Sequence, residues 1–361
     1  MQNLTSSPPV KRNYDFVDTI RCIAMIFIVM EHSTYFEPDK YLPTLGLRAF
    51  FFFLSIQFSK FGTVCFFLLA GFLIGDKFTD YTPGQYLKRR LDSTIVPWLF
   101  WSVFFIVLIN FNLIHAKILG HPDPAGVNVY QTLINSVTTT YLYTNYWFIP
   151  NFLFCITLLL IFKRHLYSYK FGAVLFAFTL FYSINIYFSW IRPSHTVAIF
   201  GFVFFLWLGA QIHKNWQKVN DWIDKTSLAM WVILTVFTLG LSMAEMYLLR
   251  SLGVHDPYNT LRFSNVLYSL SFFFMLLKIR DFKFIHYLKP RETTYGIYLI
   301  HYVMVSVVMT QITDPLNLNI YQLSVPVILL FQLAKFIMVY GLTLITIWLI
   351  NVLHLKRLIG R

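Results

Sequence analysis

The stretch Asp15-Phe-Val-Asp-Thr-Ile-Arg-Cys-Ile-Ala-Met-Ile-Phe-Ile-Val-Met-Glu-His-Ser-Thr-Tyr35 is apolar enough to enter a bilayer, yet it carries Asp18, Arg21, Glu31 and His32. At the centre of a membrane helix an Asp, Lys or Arg costs roughly 2.5–3.5 kcal/mol on insertion scales. A chain that keeps such groups there is expected to use them. Arg21 and His32 are eleven positions apart, and at about 3.6 residues per turn that is close to three full turns. Both side chains therefore leave one helix face, about 16 Å apart along the axis. Asp18 lies three positions before Arg21 and can pair with it. Glu31 points about 100° round the helix from His32 and faces a different neighbour.

The rest of the chain fits the same environment. Of 361 residues, 57% are hydrophobic and only 12% charged, with a mean hydropathy of +0.60. Soluble domains carry about 25% charged residues. The fold class is therefore all-α, a polytopic membrane protein. Spans need about 20 apolar residues, and they are expected near 16–35, 59–76, 94–114, 146–162, 170–189, 196–213, 228–249, 262–280, 294–312 and 325–350, about ten in all. Residues 45–58 read as an amphipathic or re-entrant approach to the second span, or as a span themselves. Lysine and arginine concentrate in the segments that a cytoplasmic N-terminus places inside, so both termini are expected in the cytoplasm. The organisation expected is a tail over 1–15, one transmembrane domain over 16–353 and a second tail over 354–361.

The net charge of +13 comes without a basic stripe or nucleic-acid motif, so no nucleic-acid partner is implied. The lipid bilayer is the partner that composition does imply. Cys22, Cys65 and Cys155 all fall in apolar segments and show neither a disulfide framework nor a metal spacing. The first fifteen residues lack a signal-peptide core, so the first helix is expected to stay as an uncleaved anchor. No repeat suggests an inverted-repeat transporter.

Two sets of residues carry candidate chemistry. His32 suits a general base on an alcohol, since neutral imidazole has a pKa of about 6.5. A carboxylate could fix its tautomer, and Glu31 and Glu245 are both candidates. On the cytoplasmic side, Lys88-Arg89-Arg90 with Arg21 suits a phosphate-bearing donor, because the guanidinium fork binds two oxygens at once. His301 is expected about two turns above the cytoplasmic face, near the depth of Arg21, where it could help hold that donor. Lys335, mid-way along the last span, must pair or line water.

Several of these motifs together resemble the membrane-bound acyltransferase-3 family. Asp18-x-x-Arg21 followed by ten residues and His32 resembles its first-helix Arg-x10-His motif. Val64-Cys-Phe-Phe-Leu-Leu-Ala-Gly-Phe-Leu-Ile74 is similar to Phe-Phe-x-x-Ser-Gly-Phe-Leu, with Ala70 in place of serine. Tyr86-Leu-Lys-Arg-Arg-Leu-Asp-Ser-Thr-Ile-Val-Pro97 is similar to Arg-Arg-x-x-Arg-x-x-Pro, with Ser93 or Thr94 near the later arginine. Tyr146-Trp-Phe-Ile149, Phe202-Val-Phe-Phe-Leu-Trp-Leu-Gly209 and Thr294-Tyr-Gly-Ile-Tyr-Leu-Ile-His301 follow in the family's order.

The resemblance implies an integral membrane O-acyltransferase, with His32 and Arg21 in the essential roles. The donor would be acyl-CoA, chiefly acetyl-CoA, and the acceptor a hydroxyl of a cell-envelope or exported glycan; no metal is implied. The implied location is a bacterial plasma (inner) membrane. Ala70 and Asn351, the latter near where many members carry a glutamate, leave the roles of those two family residues without a counterpart. With no appended soluble domain, a second transfer step would need a separate envelope partner. The rival reading is a transporter or flippase for a polysaccharide or lipid-linked sugar.

Overall fold

A computed structural model describes residues 14–34, 46–77, 83–119, 128–316 and 323–361. Among these the chain is helical and has no strand. In order the helices are α1 (Asp15–Thr34), α2 (Leu47–Ser59), α3 (Gly62–Lys77), α4 (Pro83–Ile109), α5 (Phe111–Ile118), α6 (Val129–Tyr143), α7 (Phe148–Ile161), α8 (Tyr169–Phe188), α9 (Ile199–Lys214), α10 (Trp216–Lys225), α11 (Leu228–Ser251), α12 (Phe263–Ile279), α13 (Pro290–Val303), α14 (Met309–Thr313) and α15 (Val325–Val352).

Five stretches are long and apolar enough to cross a membrane: Leu47–Gly75, Tyr169–Phe188, Leu228–Ser251, Pro290–Leu316 and Val325–Val352. Two bent pairs, Ser93–Ile109 with Phe111–Ile118 (73°) and Val129–Tyr143 with Asn145–Ile161 (64°), raise the number to seven. That differs from the ten spans read from hydropathy. The other three expected spans correspond to α1, whose Asp18, Arg21 and Glu31 set it apart, and to the shorter apolar helices Ile199–Lys214 and Phe263–Ile279. The stretch from Leu47 is not a separate span. It continues across a turn at Lys60 into α3 as one 29-residue stretch.

The bundle is built around the contact of α3 with α9, and two glycines explain it. A Cβ on Gly71 would sit 1.9 Å from the Leu206 carbonyl oxygen, and one on Gly209 would sit 2.0 Å from that of Leu68. Between membrane helices there is little hydrophobic driving force, so close backbone packing supplies the attraction. Phe67 stacks on Phe202 across the contact, with ring centroids 5.1 Å apart. Outward faces such as Ile233, Val236 and Phe237 on α11, or Leu330 and Ile337 on α15, stay exposed and apolar, the surface a lipid chain would cover.

Filling the α3–α9 contact should therefore unfold the bundle. Gly209→Leu is expected to destabilise it by about 3 kcal/mol or more, whereas Gly240→Leu, with open space around its Cβ position, should be tolerated. Recovery of monodisperse protein on detergent size exclusion after graded heating tests the contrast; equal recovery of both variants would sink it.

Candidate active site

Helices α1 and α13 run side by side in the same direction, joined by two side-chain rungs. At the lower rung the Asp18 carboxylate accepts from Arg21 Nη1 at 3.0 Å and from Arg291 Nε at 2.7 Å. At the upper rung His32 Nδ1 lies 2.9 Å from His301 Nε2. The two imidazoles are nearly parallel, at 10° with centroids 5.1 Å apart, and Tyr302 abuts His32 edge-on at 5.6 Å. The spacing along α1 that put Arg21 and His32 on one face thus becomes two attachment points to one neighbouring helix.

Both residues line a single cavity of about 1580 Å³. Its lower end carries Arg21, Arg90 and Arg291 with Ser93, Thr94 and Tyr295. Its middle is apolar, walled by Met25, Ile28, Phe66, Ala70, Phe148 and Phe152. The upper end is polar and aromatic, and holds His32, the Glu31 and Lys60 pair, Trp147, Arg192, His195 and Asp256. Lys335 and Asp314 line the cavity too, so the mid-helix lysine has a carboxylate in its surroundings. Among the described residues no group of three or more His, Cys, Asp or Glu side chains could hold a metal ion, and the three cysteines are buried and unbridged.

The neighbours of His32 differ from those expected. Glu31 turns to Lys60, which donates to it at 2.6 Å from the turn between α2 and α3. Glu245 lies outside the cavity lining; it accepts from the Tyr187 hydroxyl at 2.5 Å and from the Ser264 amide at 2.9 Å, as well as the Ser264 hydroxyl. Depth along a helix was readable, but the face on which Glu245 emerges was not. His301 sits at the level of His32 rather than Arg21, because α13 starts at Pro290 and three turns, not two, separate its start from the histidine.

The basic cluster divides as well. Arg90 lines the cavity, Lys88 is exposed and off it, and the side chain of Arg89 lies outside the described residues. Arg291 went unread, although it stands three residues before the Thr294 motif. Lys60 was also missed, since a lysine ending an aromatic run resembles a span boundary. Asn351 does not line the cavity, and its side chain accepts from Arg361 at 3.4 Å.

The motif from Thr294 to His301 becomes a row of fasteners. Tyr295 donates to the Thr94 carbonyl at 2.6 Å, and Tyr298 to the Asn145 carbonyl at 2.8 Å. Asn145 returns a hydrogen bond to the Tyr298 carbonyl at 2.9 Å. His301 then closes the row on α1. Helix α13 is thereby fixed to α4, to the segment before α7 and to α1.

No curated protein and no solved structure matches the chain significantly. The model of one family does, under the description of an acyltransferase domain, and it spans residues 14–352, from the start of α1 to the end of α15. The chain belongs to the acyltransferase-3 family.

Proposed function

We propose that this membrane acyltransferase is an O-acyltransferase that moves an acyl group, acetyl in the first instance, from cytosolic acyl-CoA to a hydroxyl of a cell-envelope or exported glycan. One observation supports the reading above the others: a single cavity joins a cluster of arginines at one end to an imidazole about 16 Å further along α1. That separation gives the two α1 residues different tasks. Arg21 cannot reach the atoms that react near His32. It suits the donor phosphates, with Arg90 and Arg291 beside it and Lys88 and Arg89 on the approach. An extended pantetheine arm through the apolar middle would carry the thioester up to His32.

In the reaction, His32 takes the proton of the acceptor hydroxyl as its oxygen attacks the thioester carbonyl. The tetrahedral intermediate collapses, the carbon–sulfur bond breaks, and the imidazolium returns the proton to the departing thiolate. The products are an ester and free coenzyme A. The nucleophile belongs to the substrate, so no serine or cysteine is consumed. Trp147, Arg192, His195 and Asp256 at the upper end suit a hydroxyl-rich acceptor, which takes both ring stacking and hydrogen bonds. Helices α1, α9 and α12 complete the ten-span arrangement in this reading, with both termini cytoplasmic in an inner membrane.

Mass spectrometry of envelope and secreted glycans from wild type, a deletion strain and complemented strains tests the assignment. Loss of an acyl increment on deletion, restored by wild type but not by His32→Ala or Arg21→Ala, is expected, with both variants still inserted. An unchanged acyl pattern with polysaccharide retained inside the cell would instead favour an exporter.

A second expectation concerns Arg291. A hydrogen bond to a charged group is worth about 1.5–3 kcal/mol, so Arg291→Gln should weaken coenzyme A binding at least about tenfold, measured by calorimetry in nanodiscs. Lys88→Gln, on an exposed residue off the cavity, should change it less. The reverse order would move the donor site away from α13.

A further inference from the structure

We infer that His301 is a positioning residue that fixes the tautomer of His32, leaving His32 Nε2 bare and directed to the cavity. The chain of hydrogen bonds has only one consistent assignment of protons. His301 Nδ1 lies 2.9 Å from the Ile297 carbonyl oxygen. A carbonyl only accepts, so His301 Nδ1 carries the hydrogen. His301 is wholly buried, and among the described residues its hydrogen bonds go to His32 and the Ile297 carbonyl and not to a carboxylate, so a second proton there would leave a cation without a hydrogen-bonded counter-charge. It is therefore neutral, and its Nε2 is an acceptor. His32 must then donate from Nδ1 across the 2.9 Å contact. In a neutral imidazole the other nitrogen is then a lone pair.

The layering agrees with this direction. His32 lines the cavity, whereas His301 stands behind it and does not. The carboxylates that could have taken the orienting role are engaged elsewhere, Glu31 by Lys60 and Glu245 by Tyr187 and Ser264. The origin of the chain of bonds is a backbone carbonyl one helical turn before His301. Helix α13 itself thus sets the protonation pattern of a side chain on α1. A turn of π-helix follows at Met304–Val308, of the kind that often marks functional sites in helices.

This deepens the proposed function, since it takes His32 as the base, but the tautomer can be read without any acyl transfer. In 15N-histidine-labelled protein in lipid nanodiscs, with the His32 signals assigned by their loss in His32→Gln, Nδ1 should be protonated and Nε2 bare. Finding the hydrogen on Nε2 with Nδ1 bare would overturn the inference whatever the activity.

In cells, His301→Leu removes the acceptor and should lower acyl incorporation at least about 100-fold, while His301→Gln, whose side-chain oxygen can accept from Nδ1, should remain within about tenfold of wild type. Coenzyme A binding in nanodiscs should be unchanged in both. Normal incorporation by His301→Leu alongside an inactive His32→Ala would overturn the positioning role and leave the base intact. Loss of coenzyme A binding in His301→Leu would assign the residue to the donor site instead.

Discussion

The pairing of α1 with α13 is the constraint on which the rest of the site depends. A polar group within an apolar bundle finds its partner in the protein, because lipid offers none. On α1 there are four ionisable groups near the cavity, and three pairings satisfy them. Asp18 is shared between Arg21 and Arg291, Glu31 is held by Lys60, and His32 meets His301. The two rungs to α13 prevent either helix from sliding by a turn, since a shift of about 5.4 Å would break both. They also hold the Arg21 and His32 levels of the cavity in register. The distance between the arginine cluster and the imidazole is therefore a property of rigid helices rather than of loops.

A second polar cluster shows buried charge that ties helices together away from the cavity. Arg262 is wholly buried and donates to the Ser242 carbonyl at 2.9 Å, to the Asn259 carbonyl at 3.2 Å and to the Gln57 side chain. Glu245 lies in the same region, satisfied by Tyr187 and Ser264. These bonds tie α2, α8, α11 and α12 together, and neither charged residue lines the cavity. Intramembrane charge on its own is thus an ambiguous sign of function. What separates Arg21 and His32 from Arg262 and Glu245 is access to a cavity.

That distinction also sets how much could be read in advance. The helical class, the Arg21 and His32 face and the Asp18 to Arg21 pair follow from composition and period, which are local. The motif glycines at 71 and 209 were visible as residues, but their reason, a backbone contact between two helices, was not. Partners distant in sequence were beyond reach: Arg291 lies 273 positions from Asp18, and His301 lies 269 from His32. His301 was noticed, yet its level was misjudged because hydropathy places a helix start only within a few residues. Here an error of four residues displaces the side chain by about one turn, roughly 6 Å along the axis, toward the level of His32.

A histidine partner in place of a carboxylate has a chemical consequence. A carboxylate beside imidazole stabilises the imidazolium and so strengthens the base, but within a bilayer it brings a charge that must itself be compensated. A neutral imidazole fixes orientation and tautomer without that charge. In the proposed reaction the base is oriented without an added charge, and the proton it accepts goes back to the departing thiolate. For a transfer in which one group acts first as base and then as acid, a modest basicity serves both halves. The lower rung can be read in the same terms. Asp18 offsets part of the charge of Arg21 and Arg291, enough to let arginines stand at the edge of the bundle while leaving the cavity end suited to an anion. The three arginines thus gather at the lower end of the cavity, whereas at the His32 level the Glu31 and Lys60 charges close on each other and Arg192 stands with Asp256 in the same lining.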